Sequence, residues 1–360
     1  MAGAAGRAAG PAGGPGAAGP PAGGRAGGVF CFGMGYVALA LAGRLGAPGG
    51  GGGAGWRVAG GTVRSPARAA RLQRLGFDAV PFSGARACAG GVPPFTAEAV
   101  LRGMGGCRAV LASVPPGAAG DDPVLEAFRG ELLAQAQGGG LDWVGYLSTT
   151  SVYGDWEGGW VDEKTEPRPE SPSARARLEA EARWLGLAEH GVPVHVFRLA
   201  GVYGPRRSLL EAAARGPGGE VSPSKAARLA RPYTSRVHVA DVASALRASL
   251  AAPRPRGGLY CVVDDDPTSR REALAFAEAL VARRGVPTAS EAERAGGSAA
   301  PGPARAGAAG GKRVLNTLLK QDLGLCLAYP SYREGLAALA SEPSTLDPFD
   351  REALDVLIPP

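Results

Sequence analysis

Ten residues near the start of the apolar part of the chain constrain its fold most. Val29-Phe30-Cys31-Phe32 is a short apolar run that stops at Gly33-Met34-Gly35-Tyr36-Val37-Ala38, and Tyr36 to Leu45 then spaces its apolar residues as a helix does. A strand that turns through two glycines straight into a helix is a diphosphate-binding arrangement. The first glycine allows the tight turn, the second lets the backbone approach the anion, and Ala38 permits close helix–sheet contact. The same residues also read as an ordinary tight turn, and in a chain with 58 glycines the spacing needs its strand and helix as context.

That context follows. Strand-like runs at Arg57–Val63, Asp78–Phe82, Arg108–Val114, Leu141–Leu147, Pro193–Phe197 and Gly258–Val263 alternate with helical spacing. The helices are expected at Pro66–Leu75, Pro123–Ala136, Arg175–His190, Ser208–Ala214, Asp241–Ala251 and Arg270–Arg284. Such alternation implies a parallel sheet covered on both faces by right-handed crossovers, an α/β doubly wound fold. The stretch from Lys312 to Leu339 reads as helical with a Tyr-Pro-Ser-Tyr break. Residues 1–28 are almost entirely Gly, Ala, Pro and Arg, which cannot bury enough surface to fold, so a disordered leader or transit segment is expected there. Residues 29–200 form the nucleotide-binding domain and 201–340 the late strands with a smaller substrate lobe. Residues 47–55 and 295–311 read as loop insertions and 341–360 as a tail.

Two stretches downstream carry a resemblance. Leu147-Ser148-Thr149-Thr150-Ser151-Val152-Tyr153-Gly154 reads as a buried strand ending in hydroxyls. Pro169-Glu170-Ser171-Pro172-Ser173-Ala174-Arg175-Ala176-Arg177-Leu178-Glu179-Ala180-Glu181 follows it. Together these resemble the extended short-chain dehydrogenase/reductase family, the NAD-dependent epimerase/dehydratase-like proteins, over roughly residues 29–340. The resemblance implies a Rossmann sheet with an interleaved C-terminal substrate lobe and a nicotinamide cofactor. In that family the second stretch carries a Tyr and, four residues on, a Lys; here those positions hold Ser173 and Arg177. The C-terminal Lys312-Arg313-Val314-Leu315-Asn316 and Tyr329-Pro330-Ser331-Tyr332 resemble an atypical subgroup that lacks the same pair.

The exchange bears directly on chemistry. The family's phenol acts as acid/base, and a Ser or Thr holds the substrate oxygen. That holding position falls on Thr149, with Ser148 and Thr150 as neighbouring alternatives. Ser173 is far less acidic than a phenol, and Arg177 stays protonated and relays no proton. Tyr153 is the remaining phenol in the motif, either packing or standing in as acid/base. Losing a positioned acid/base costs about 10²- to 10⁴-fold in rate, so hydride positioning alone leaves some activity.

On the cofactor side, Gly33, Gly35, Tyr36 and Ala38 form the diphosphate turn. The second strand ends in Thr62-Val63-Arg64-Ser65 with no acidic residue for ribose hydroxyls. Arg64 offers a guanidinium fork to a 2′-phosphate and Ser65 a hydroxyl, which points to NADP, with NAD as the alternative. Val114 and Pro115, in Ala112-Ser113-Val114-Pro115-Pro116-Gly117, fall where the family's backbone runs beside the adenine. For the substrate, Trp156 in an aromatic–acidic loop reads as a lid or as a surface anchor. Arg207, with Arg206 beside it, and Arg236 offer charge to an anion. His238 packs and Asp241 caps a helix; with His190, His195 and His238 the only histidines, a His-built metal site is not expected. Asp264-Asp265-Asp266 reads as a turn and cap.

The formal net charge is +6, yet the arginines are scattered, with no aromatic–basic interleaving and no finger spacing, so nucleic acid is not an expected partner. Five widely spread cysteines suit a reducing compartment, and no stretch reaches transmembrane length. The acid-free leader suggests chloroplast import but lacks the usual Ser; otherwise the chain is cytoplasmic. A small-molecule substrate is expected, and a homodimer is compatible. Two functions stand. One is an NADP(H)-binding oxidoreductase with reductase or epimerase chemistry on a small polar or anionic substrate. The other is a non-catalytic NADP(H) sensor or scaffold.

Overall fold

β1 (Gly27–Phe32) shows why these residues make a central strand. It is buried along its whole length, with Val29 and Cys31 in one core and Phe30 and Phe32 in the other. Two-residue alternation with both faces apolar is the pattern of a covered parallel strand. The computed structural model describes residues 27–46, 55–82, 94–117, 120–215, 230–251, 258–283 and 310–341. The expected leader through residue 26, the glycine-rich 47–54, the insertion at 295–309 and the tail from 342 lie outside the described residues.

The longer strands β2 (Trp56–Val63), β3 (Asp78–Pro81), β4 (Ala109–Ala112) and β5 (Trp143–Thr149) follow in order. After them come β6 (Trp160–Val161), β7 (Val194–Leu199), β8 (Gly201–Tyr203), β9 (Arg236–His238), β10 (Gly258–Val262) and β11 (Arg313–Val314). Seven of them form one parallel sheet in the order β10-β7-β5-β4-β1-β2-β3. The winding direction reverses between β1 and β4. In such sheets ligands lie at the carboxyl ends of the strands beside this switch point.

The helices are α1 (Tyr36–Leu45), α2 (Pro66–Arg74), α3 (Pro94–Gly105), α4 (Pro123–Gln137) and α5 (Pro172–Gly186). They continue with α6 (Leu209–Arg215), α7 (Val239–Ala251), α8 (Arg270–Ala282), α9 (Thr317–Leu323) and α10 (Tyr332–Ser341). Starts are chemically marked: Ser65, Asp122 and Ser171 each cap a helix whose first residue is proline. Helices α1, α2 and α7 cover one face of the sheet, and α3, α4 and α5 the other. A separate apolar cluster built from Tyr203, Leu209, Ala213, Ala273, Ala277, Tyr332 and Leu336 joins α6, α8 and α10 into the smaller lobe.

Three expectations shift. Gly27 and Gly28 belong to β1 rather than to the leader, because they pair with Trp56 and Arg57 and the Trp56 ring packs over Gly27. Gly310 and Gly311 are held rather than looped out, since the Gly311 carbonyl accepts the amides of Trp156 and Gly158 at 3.0 and 2.9 Å. The stretch after Lys312 opens as strand β11 beside β6 before turning helical, because the buried Val314 packs with Val161 and Cys261. No helix among the described residues is long and apolar enough to cross a membrane.

Candidate cofactor and active site

The glycine turn sits at the switch point. Gly33 adopts φ +93°, and its N–H donates to Thr62 Oγ1 at 2.9 Å. From the end of β4, Ser113 Oγ donates towards the carbonyls of Gly33 (2.8 Å) and Phe32 (3.1 Å). A Cβ on Gly33 would stand 2.5 Å from that hydroxyl, so both backbone angle and space require glycine. Gly35 is glycine for another reason. A Cβ there would meet nothing nearer than the Gly33 oxygen at 4.0 Å, so the space above it is open. Ala38 is buried where α1 meets the sheet. This is a cradle into which a diphosphate fits, closed below and open above. Tyr36 does more than begin the helix: its hydroxyl donates to the Pro205 carbonyl at 3.0 Å, and the Arg207 guanidinium lies 5.5 Å over its ring.

At the end of β2, Arg64 is exposed, and the Ser65 hydroxyl accepts from the Arg68 amide at 3.2 Å. The hydroxyl thus caps α2 and keeps its own proton to donate. Arg68, which sequence reading passed over, is half-buried near Arg64. Its basicity is lowered by burial first and by the Arg64 charge second, and its Nε has no partner among the described residues. Two neighbouring guanidiniums beside a helix N-terminus with no acid in its first turn suit a phosphate. Val114 lies against the turn, 3.5 Å from a Cβ on Gly33, and Pro115 is exposed beyond it.

Of the three hydroxyls at the end of β5, Ser148 and Thr150 are buried, and Thr149 is half-buried. Thr149 Oγ1 caps a four-residue 3₁₀ turn (Thr150–Tyr153), accepting the Ser151 amide at 3.2 Å and donating to Ser151 Oγ at 3.0 Å. Ser173 is exposed in the first turn of α5, with its hydroxyl 3.1 Å from Ser171 Oγ. One turn on, Arg177 points back to the sheet and donates to Tyr146 Oη at 3.0 Å and to the Leu147 carbonyl at 3.2 Å. That guanidinium fastens α5 to β5.

Tyr153 is fully buried. Its hydroxyl donates to the Asp162 carbonyl at 2.7 Å and lies 3.1 Å from Cys261 Sγ, while Arg198 stacks 4.8 Å over the ring. Burial first, and then the Cys261 thiol, push its acidity well below that of an ordinary phenol. This geometry is that of a packing tyrosine, not of an acid/base at working pH. A polar chain missed in the sequence runs beside it. Ser148 Oγ donates to Glu181 on α5, and Glu181 takes a bidentate guanidinium from Arg198 on β7, at 2.7 Å for the closest contact. Both charges are buried.

The expected substrate groups divide. Trp156 donates its indole N–H to the Tyr153 carbonyl at 2.8 Å and stacks under Arg168 at 3.8 Å, so it forms a fixed wall rather than a free lid. Arg207 is exposed beside Tyr36. Arg236 departs from its expected role. It is buried and donates to the carbonyls of Thr234 (2.9 Å), Thr268 (3.1 Å) and Ser269 (3.2 Å), which ties β9 to the start of α8. His238 rather than Asp241 caps α7, since its Nδ1 accepts the Ala240 amide at 3.2 Å. Asp241 instead takes the amides of Ala328 and Tyr329 at 2.7 and 3.0 Å. Cys31, Cys107 and Cys261 are buried thiols and Cys326 is an exposed one; Cys88 lies outside the described residues.

Comparison with solved structures places this architecture. A conserved protein of unknown function from Silicibacter pomeroyi is 34% identical, with TM-score 0.65, covering 88% of this chain and 99% of its own. A Methylobacillus flagellatus protein that carries the name NAD-dependent epimerase/dehydratase is 25% identical, with TM-score 0.58 and 88% and 98% coverage. The named solved structures that share this architecture are epimerase/dehydratase-like, extended short-chain dehydrogenase/reductase proteins. A more distant member of that fold, MoeE5 in complex with UDP-glucuronic acid and NAD, is 21% identical with TM-score 0.58, over 88% of this chain and 98% of its own. No family model matches the chain, and no curated protein matches it. Thr62, Arg68, Ser113, Glu181 and Arg198 stand beside the candidate site residues, and spacing did not reveal them. Hydroxyls at strand ends and the lone acid of α5 facing inwards were their only sequence signal.

Proposed function

We propose that this chain binds NADP(H) and performs reductase or epimerase chemistry on a small polar or anionic molecule. The open space over Gly35, at the switch point of the sheet, carries the reading. Gly33, Gly35 and the first amides of α1 would hold the diphosphate, with Ala38 letting the helix lie close. Arg64, Arg68 and Ser65 would hold the 2′-phosphate, and Val114 and Pro115 the adenine side. A bound nicotinamide dinucleotide supplies or accepts hydride. Thr149, backed by Ser151, offers a hydroxyl to the substrate oxygen at the sheet edge. Trp156 and Arg207 line the approach.

A second reading has its own support. Arg177 is taken up by Tyr146 and Leu147, and Tyr153 is doubly bonded in the core, so the usual acid/base pair has no local substitute from either. A non-catalytic NADP(H) sensor or scaffold is consistent with that.

Calorimetry with NADPH and NADH on wild type and Arg64→Ala tests the cofactor assignment. Wild type is expected to prefer NADPH, and the variant to lose roughly 10- to 100-fold of NADPH affinity, as removal of a charge-assisted contact implies, with NADH unaffected. An equal loss for both dinucleotides, or none, overturns NADP selectivity. Oxidation of bound NADPH that requires an added carbonyl compound separates the enzyme from the sensor.

A further inference from the structure

Arg177 and Arg236 give two and three hydrogen bonds to protein groups, whereas Lys312 gives one. Lys312 precedes β11 and sends its side chain back to the Gly154 carbonyl, which its Nζ meets at 2.9 Å. Gly154 closes the 3₁₀ turn that Thr149 opens. Lys312 is half-buried, and that carbonyl takes one of its three N–H donors. Among the described residues no carboxylate comes within ion-pair distance of it.

Its surroundings add positive charge. Gly311 packs against Tyr233 and Arg231, which brings the exposed Arg231 to the same corner. Arg313, next in sequence, is excluded as a ligand group. Its guanidinium lies 4.8 Å from the rings of both Trp160 and Tyr233, and its Nε donates to the Gly158 carbonyl at 2.7 Å. Lys312 is pushed down to about 8, by burial first and by Arg231 second, with Glu170 and Asp155 only partly offsetting them. A half-buried ammonium with an exposed guanidinium near it is an arrangement that a bound anion relieves.

Distance decides what the amine does. A 3₁₀ turn rises about 2 Å per residue, so the backbone of Thr149 stands roughly 10 Å along the turn from Gly154, whose carbonyl the Lys312 amine meets. That is too far for both to hold one reacting oxygen, and it suits the two ends of a sugar-sized molecule. We infer that the Lys312 ammonium, with Arg231 beside it, holds an oxyanion of the substrate, either a carboxylate or a phosphate, remote from the oxygen at Thr149. This deepens the proposed function and rests on its reading of the cleft as a substrate site.

Competitive labelling of the cofactor-free protein with acetic anhydride, read at the Lys312 peptide by mass spectrometry, tests it. Glucuronate and methyl phosphate serve as the two anion probes. Labelling is expected to rise through about pH 8 in the free protein. At least one probe should slow it about fivefold or more, the size of an ordinary site-to-site coupling; which probe does so identifies carboxylate or phosphate. Lys312→Met should abolish calorimetric binding of the protecting probe, and Lys312→Arg should retain it, while both variants keep NADPH uptake. Absence of protection by both probes, with NADPH uptake intact, overturns this inference alone. Protection without any NADPH uptake overturns the cofactor reading and leaves the anion site standing.

Discussion

Gly33 and Gly35 are two residues apart and glycine for opposite reasons, which makes them separable by experiment. Gly33→Ala forces an L residue to φ +93° and puts a methyl 2.5 Å from Ser113 Oγ, so a loss of about 1–3 kcal/mol in urea unfolding is expected. Gly35 has φ −97°, which alanine adopts freely, and open space where its methyl would go. Gly35→Ala should therefore change stability by less than about 1 kcal/mol and lower NADPH affinity at least tenfold by calorimetry. A stable Gly33→Ala, or full NADPH affinity in Gly35→Ala, contradicts the assigned roles. Both glycines were legible in the sequence because the motif is local. Their supports were not: Thr62 and Ser113 act across 29 and 80 residues, a separation that no spacing rule spans. Arg236 misled for a related reason. An arginine in sequence carries charge, but whether ligand or backbone carbonyls take its donors depends on burial.

The long strands and their helices were readable because period-two and 3.6-residue patterns extend over several turns, and because Ser-Pro and Asp-Pro mark helix starts. Strands β6, β8, β9 and β11 have two or three residues each, too few to show a period. Helix α3 also went unread, since Gly103 and Gly105 lower the helix propensity of its last turn. Across elements, the Glu181–Arg198 pair joins α5 to β7 and, through Ser148, to β5. Neither charge is solvated, so removing one partner leaves the other buried and unpaired. Glu181→Gln is expected to cost about 3–5 kcal/mol in urea unfolding, whereas Glu181→Leu with Arg198→Met should recover most of it. Additive losses in the double variant would mean that the pair does not act as a unit.

The smaller lobe meets the sheet where β9 and β10 end, and this junction gives the whole molecule a pH dependence. The Asp264 amide donates to the Arg236 carbonyl at 2.7 Å, but neither carboxyl oxygen has a partner among the described residues. Burial pushes Asp264 up to about 8, with the Arg236 charge pulling the other way. The unfolded chain releases this proton near pH 4, so between there and about 8 the folded form binds more protons than the unfolded one. Stability from this group is complete at the acid end and is lost as pH rises, by about 1.4 kcal/mol per unit at the steepest. His238 acts oppositely. Burial pushes it down to about 4, and its contribution is lost as pH falls from 6.5 towards that value. The two overlap in wild type, but their difference is separable. In Asp264→Asn the histidine is unchanged and the carboxyl is gone, so the stability of the variant relative to wild type should climb steadily from pH 5 to pH 8 in urea unfolding. A flat difference over that range would mean that Asp264 is solvated in the folded molecule and that the junction between lobe and sheet is open to water.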